Sequence, residues 1–197
     1  MKRRSTSRSG SVASARGGHP SLSRWLLLPL ALACGSAGPY GHSRAYSPLD
    51  EEDAAASGSE RYDPVMARRL PQEWQGKKLE LFGIVLARAE GRDGLADLTL
   101  SVRRLAARNL CEAGEEDTCR VTVGDQELAR VHALVELRQS DAIGQKNLKP
   151  QSLVRVIGKL EDHVNKEDGA DVLVASYYRH WPTAEYVTEQ ARSYMRR

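Results

Sequence analysis

The residue types best suited to chemistry gather at Tyr177-Tyr178-Arg179-His180-Trp181-Pro182. Aromatic faces beside a guanidinium and an imidazole can stack on a base, a sugar ring or a peptide. The same run also suits a strand end in which alternate residues point inward, Trp181 covers a core, and Pro182 starts the next element. His132, His163 and His180 are the histidines of the C-terminal two thirds of the chain. No two stand at the i, i+4 spacing of a helical metal pair, so they read as scattered surface groups rather than ligands. Asp162–Asp171 is acid-rich and contains Gly169, but it lacks the alternating oxygen ligands of a calcium loop and reads as a solvated turn. Ser152 precedes a strand and is not set in a Gly-x-Ser-x-Gly elbow. No phosphate-cradling Gly loop or His-Glu-x-x-His run occurs either. These residues lead to the expectation of a binding protein without catalytic residues, metal or cofactor.

The elements that must position them are mostly strands. Lys77–Glu90 alternates, with Leu79, Leu81, Gly83, Val85 and Ala87 on one face. Gly91-Arg92-Asp93-Gly94 is a turn signal, and Ala96–Leu105 resumes with Leu98, Leu100 and Val102 on one side. Arg120–Gly124 is a short third strand. The stretch 128–137 fits either a helix or a strand, and Gln139–Gln151 is a loop. Ser152–His163 and Asp171–His180 form a hairpin around Asn165-Lys166-Glu167-Asp168-Gly169. Residues 183–197, with Ala184, Val187, Ala191 and Tyr194 on one stripe, predict a C-terminal amphipathic helix. Ahead of the strands, Asp63-Pro64 is an N-cap followed by Pro at the first helical position, so 61–76 reads as a short helix and linker.

Five strands in this order, with mid-strand glycines Gly83 and Gly158 permitting sharp coiling, resemble the OB-fold, a five-stranded Greek-key barrel. The resemblance covers about Leu79–Tyr178. It implies a mainly β domain over 77–182 whose grooves take ligands, with Tyr177, Tyr178, Arg179, His180 and Trp181 as possible binding residues.

The N-terminus has another character. Residues 1–24 carry six Lys and Arg and no Asp or Glu; then Trp25–Ala33 is uncharged, too short to cross a bilayer. A basic stretch, a short apolar stretch and small residues at its end mark a secretory signal over 1–33. Ala31-Leu32-Ala33-Cys34-Gly35 resembles the lipobox of bacterial lipoproteins, although that family prefers Leu and a small residue where Ala31 and Leu32 stand. The resemblance implies acylation of Cys34. Gly35, where inner-membrane members carry Asp, implies the outer membrane, facing the periplasm. The Gly-, Ser- and acid-rich stretch 34–60 then reads as a flexible tether.

Loss of 1–33 leaves 23 Lys+Arg against 26 Asp+Glu, changing a net +3 to −3 and removing the main argument for nucleic acid. With Cys34 acylated, Cys111 and Cys119 remain as a pair. An oxidising periplasm favours a disulfide between them, a link that stabilises by about 2–3 kcal/mol in the chain-entropy account. The resulting expectation is a non-enzymatic envelope lipoprotein binding a ligand or protein partner. The rivals are a cytoplasmic nucleic-acid-binding module that keeps its Arg-rich arm, and an exported enzyme with a dispersed site.

Overall fold

The computed structural model describes residues 43–112 and 116–195, which lie in one compact unit. The signal, Cys34 and the first part of the tether fall outside the described residues. Among the described residues, no helix is long and apolar enough to cross a membrane.

Five strands close a barrel: β2 (Lys78–Glu90), β3 (Ala96–Arg103), β5 (Ala129–Val135), β6 (Leu153–Val164) and β7 (Asp171–Trp181). Their order is β2-β3-β5-β7-β6, and β2 returns to pair with β6. All neighbours are antiparallel except β5 and β7, which run parallel from Val131↔Asp171 to Leu134↔Val174. That connectivity is the OB barrel, and the chain is mainly β with short helices. Closure requires β2 to serve two partners. Its N-terminal half pairs with β6, its C-terminal half with β3, and a bulge between Val85 and Ala87 turns the strand.

Glycine makes the tightest crossing possible. A Cβ at Gly158 would stand 2.2 Å from the Val174 carbonyl oxygen and 2.8 Å from Ala175 Cα. A methyl there would displace β7, so only Gly lets the two backbones meet. The inward side chains of the alternating strands (Leu79, Leu81, Val85, Leu98, Leu100, Val131, Val154, Val156) form the barrel core with Trp74 and Tyr178.

Three sequence expectations are corrected. First, the barrel's third strand is β5, within the ambiguous stretch 128–137. The short β4 (Val121–Val123) instead pairs with β8 (Tyr186–Thr188) in a separate two-stranded sheet. Leu105 bridges Val123, and Leu110 bridges Arg120, so 105–111 and 119–123 form the two arms of a flap, with Cys111 and Cys119 joined. Second, the described part of the expected amphipathic helix, 183–195, is a short strand and a 3-10 turn instead. Tyr186 is buried against Phe82, Leu153 and Trp181, and its hydroxyl donates to the Gln151 carbonyl at 3.0 Å. A tertiary strand partner for Val187 and Thr188 outweighs the apolar stripe; a 3-10 turn, Glu189–Ser193, follows.

Third, 43–60 is not a tether. It contains α1 (Asp50–Ala56) and β1 (Glu60–Arg61), the latter parallel to β2. Four acids in the first turn of α1 suit the positive helix end, and Ala54–Ala56 favour helix. Glu52 also accepts from the Leu49 N–H at 3.1 Å. The expected helix after Asp63 is present as α2 (Pro64–Arg69), with Asp63 Oδ1 accepting from the Val65 and Met66 N–H groups. Two single-turn helices, α3 (Pro71–Trp74) and α4 (Gln139–Ala142), complete the unit.

Candidate functional site

The run Tyr177–Trp181 ends β7 and is clasped from both sides. Ser176 sits opposite a register shift, after which Tyr178 points into the barrel and Arg179 and Trp181 point out. The Tyr178 hydroxyl accepts from the Arg138 N–H at 2.9 Å and donates to Asp141 Oδ2 at 2.7 Å. Burial, together with Asp141, pushes its pKa up to about 12. His180 Nδ1 lies 3.2 Å from Asp141 Oδ1. The Arg138 guanidinium lies over both Tyr177 and Tyr178, at 5.5 and 5.1 Å from their ring centres. One side of the run is therefore a fastening for the α4 connection.

The other side holds the segment before and within α1. Glu52 is fully buried and accepts from Arg155 Nη1 at 2.7 Å, Arg179 Nη1 at 2.9 Å and the Tyr46 hydroxyl. Arg155 reaches Glu80 as well. The Arg179 guanidinium stacks on Trp181 at 4.6 Å, and Tyr46 packs edge-on to Phe82 and Trp181. Burial by itself would raise the Glu52 pKa, but the hydrogen bonds from Tyr46, Arg155, Arg179 and the Leu49 N–H together hold it below the ordinary glutamate value. Five of the residues expected to bind a ligand thus bind their own chain. The clue to the missed partner lay in Asp50-Glu51-Glu52-Asp53, where Glu52 stands three residues after Leu49, as in a capping box.

A second cluster lies on the outer face of β3 and β5. His132 Nδ1 is 2.9 Å from Asp97 Oδ1, and its Nε2 is 3.2 Å from Asp168 Oδ2 in the β6–β7 turn. Burial opposes protonation, yet the two carboxylates outweigh it and raise the His132 pKa. The imidazolium so favoured donates to both carboxylates and ties the turn to the barrel. The outward side chains around it (Asp97, Thr99, Ser101, Arg103, Arg130, Leu134) include no aromatic ring for stacking. Among the described residues, the group that could hold a metal ion is Glu161, Asp162 and His163, whose ligand atoms lie within 4.8 Å of one another. Glu161 there already pairs with Arg92 at 3.0 Å.

A cleft of about 620 Å³ lies between β1 and the start of α2 on one side and Val102–Leu105 with Gln126–Leu128 on the other. Phe82, Leu105, Val65 and Leu128 give it apolar walls, and Asp63, Glu80, Glu127, Arg61, Arg103 and Arg104 give it charge. The carboxylates are all engaged: Asp63 caps α2, Glu80 holds Arg155, and Glu127 accepts from Ser101 and Arg130. Arg103 donates to Ser101 and to the Asp125 carbonyl. The Arg61 and Arg104 side chains have no partner among the described residues. The cleft thus offers two free cations beside apolar surface, and its volume falls within the range of ligand sites. Nothing in the sequence periodicity announced it, because β1 and the 126–128 turn meet only through barrel closure.

No protein-family profile matches the chain, and no curated protein matches it. Similar solved structures include Replication protein A of U. maydis bound to single-stranded DNA, at 12% identity over 64% of this chain and 76% of that one, TM-score 0.33. A small single-stranded DNA-binding protein from Streptomyces coelicolor aligns at 18% identity over 54% and 94%, TM-score 0.31. A Klebsiella pneumoniae lipoprotein, by its name nucleic-acid-binding, aligns at 14% identity over 68% and 99%, TM-score 0.33.

Proposed function

We propose that this chain is a non-enzymatic lipoprotein of the cell envelope, anchored through Cys34 to the outer membrane on its periplasmic side. Its OB-like domain binds a ligand or protein partner in the cleft between β1–α2 and the barrel. The export half of the reading rests on the basic and then apolar run ending at Ala33-Cys34. The binding half rests on one observation: in a cleft of ligand-site volume the acids are engaged and Arg61 and Arg104 are not. The ligand chemistry that fits is an anionic group next to an apolar portion, since unpaired guanidiniums favour carboxylates and phosphates.

The test uses a photo-crosslinking residue at Leu128 in living cells, combined with a palmitate analogue. Expected are label on the wild type but not on Cys34→Ser, and a defined crosslinked species that disappears in Arg61→Glu/Arg104→Glu. Equal label on both chains, or a crosslink indifferent to the two arginines, overturns the reading. Binding of single-stranded DNA is expected to be weak in the processed chain; tight, salt-sensitive binding would instead favour the nucleic-acid module.

A further inference from the structure

The outer surface of α2 is built differently from the rest of the domain. Ala67 faces inward, while Val65, Met66 and the capping Leu70 are 54%, 37% and 38% exposed. Eight large apolar side chains are exposed among the described residues, and these three sit on one short helix; Leu128, across the cleft, makes a fourth. Between them stand Arg68 and Arg69, and Arg61 lies just ahead; all three are exposed and make no hydrogen bond or ion pair among the described residues, Arg68 acting on Tyr62 only through its charge. The neighbouring acids are engaged, Glu60 with Lys77 at 3.1 Å and Asp63 in capping, which leaves Glu73 of α3 as the one acid within α2 and α3. In a chain whose balance without residues 1–33 is negative, three free guanidiniums set among bare apolar side chains are not ordinary solvated surface.

We infer that this face docks on an anionic phospholipid surface. Arg61, Arg68 and Arg69 meet headgroup phosphates, while Val65, Met66 and Leu70 enter the boundary between headgroups and acyl chains. Charge complementarity selects the occupant: cations alone would suit any phosphate, but aliphatic side chains between them suit a lipid interface and offer no ring for a nucleobase. Such a face would lay the domain against the membrane beside its lipid anchor, and it goes beyond the reading of the cleft, sharing with it Arg61, Val65 and Leu128.

The experiment uses the unacylated chain from residue 43 to 197, which contains every described element. It is sedimented with vesicles of phosphatidylglycerol and phosphatidylethanolamine and, separately, of phosphatidylcholine alone. Expected is binding to the first and not the second, weakened by salt. Near a charged surface each Arg contributes enough that Arg68→Ala/Arg69→Ala should lower partitioning about thirtyfold. Met66→Ser/Leu70→Ser should lower it with the salt dependence unchanged. Thermal midpoints within a few degrees of wild type show that the variants fold. Equal binding to both vesicle types, an unchanged Arg68→Ala/Arg69→Ala variant, or displacement by a single-stranded oligonucleotide at lower concentration than lipid would overturn the inference. Arg104→Ala separates the two proposals, because it should abolish the cleft crosslink and leave vesicle binding intact.

Discussion

Replacing Glu52 by Ala tests the least expected part of this architecture. The carboxylate is fully buried and receives two guanidiniums; the Arg155 side chain is 8% exposed and that of Arg179 is 24% exposed. Removing one partner of a buried ion pair costs about 3–5 kcal/mol, because the remaining charge is left without compensation. Arg155 retains Glu80 and Arg179 retains its stack on Trp181, so the lower end applies, about 3 kcal/mol. For a unit of this size that corresponds to a Tm lower by roughly 10 °C. Urea titrations followed by Trp fluorescence measure it directly, because Trp181 lies beside the network. Glu52→Gln, which keeps the shape and one acceptor, should lose less. The pH dependence has a definite sign. The folded-state pKa of Glu52 is depressed, so its contribution is complete at neutral pH and is lost only as pH falls through that depressed value. The gap between wild type and Glu52→Ala should therefore be flat from neutral to mildly acidic pH and close only in strong acid. A loss below about 1 kcal/mol, or a gap that closes already near neutral pH, would refute the assignment of 43–56 to the folded unit.

Two further outcomes follow from other sites. Because the His132 pKa is raised above 6.5 by Asp97 and Asp168, its pairing stabilises fully below pH 6.5 and fades as pH rises through the raised value. His132→Gln should thus cost about 1 kcal/mol in mild acid and progressively less in alkali; a cost that grows with pH would contradict the clasp. Gly158→Ala should destabilise by about 3 kcal/mol, since its Cβ meets the β7 backbone at Val174 and Ala175, whereas Gly83→Ala, which meets the Leu100 side chain at 2.9 Å, should cost about 1–2 kcal/mol. Similar losses in denaturant titrations of the two variants would show that β6 and β7 are not held so close.

What could be read from the chain was the part governed by local period. The alternation of Leu79, Leu81 and Val85, the turn at 91–94 and the hairpin around 165–169 each state their own geometry, and Gly83 and Gly158 mark where strands coil. Segments decided by distant partners were not legible. Val187 and Thr188 form strand only because β4 lies beside them, and the flap carrying β4 looked like a barrel strand because its three residues alternate like one. The acidic run at 50–53 looked solvated for the same reason: the guanidiniums that bury Glu52 come more than a hundred residues later. The candidate site shared this fate. Tyr177–Trp181 stands out in the sequence, but its contacts to Glu52, Asp141 and Arg138 come from distant segments that no local pattern announces.

The distance between Glu52 and its two arginines also sets an order of events. On a chain made or threaded from its N-terminus, the Tyr46–Glu52 segment emerges first, and Arg155 and Arg179 follow 103 and 127 residues later. Glu52 has no guanidinium to pair with until β6 and β7 have been made, so its docking is expected late, and Glu52→Ala should speed unfolding while leaving the folding rate unchanged. Interactions absent from the folding transition state govern how fast a protein comes apart rather than how fast it forms. The lifetime of the folded domain, more than its rate of maturation, is thus expected to depend on a segment made well before the barrel that holds it.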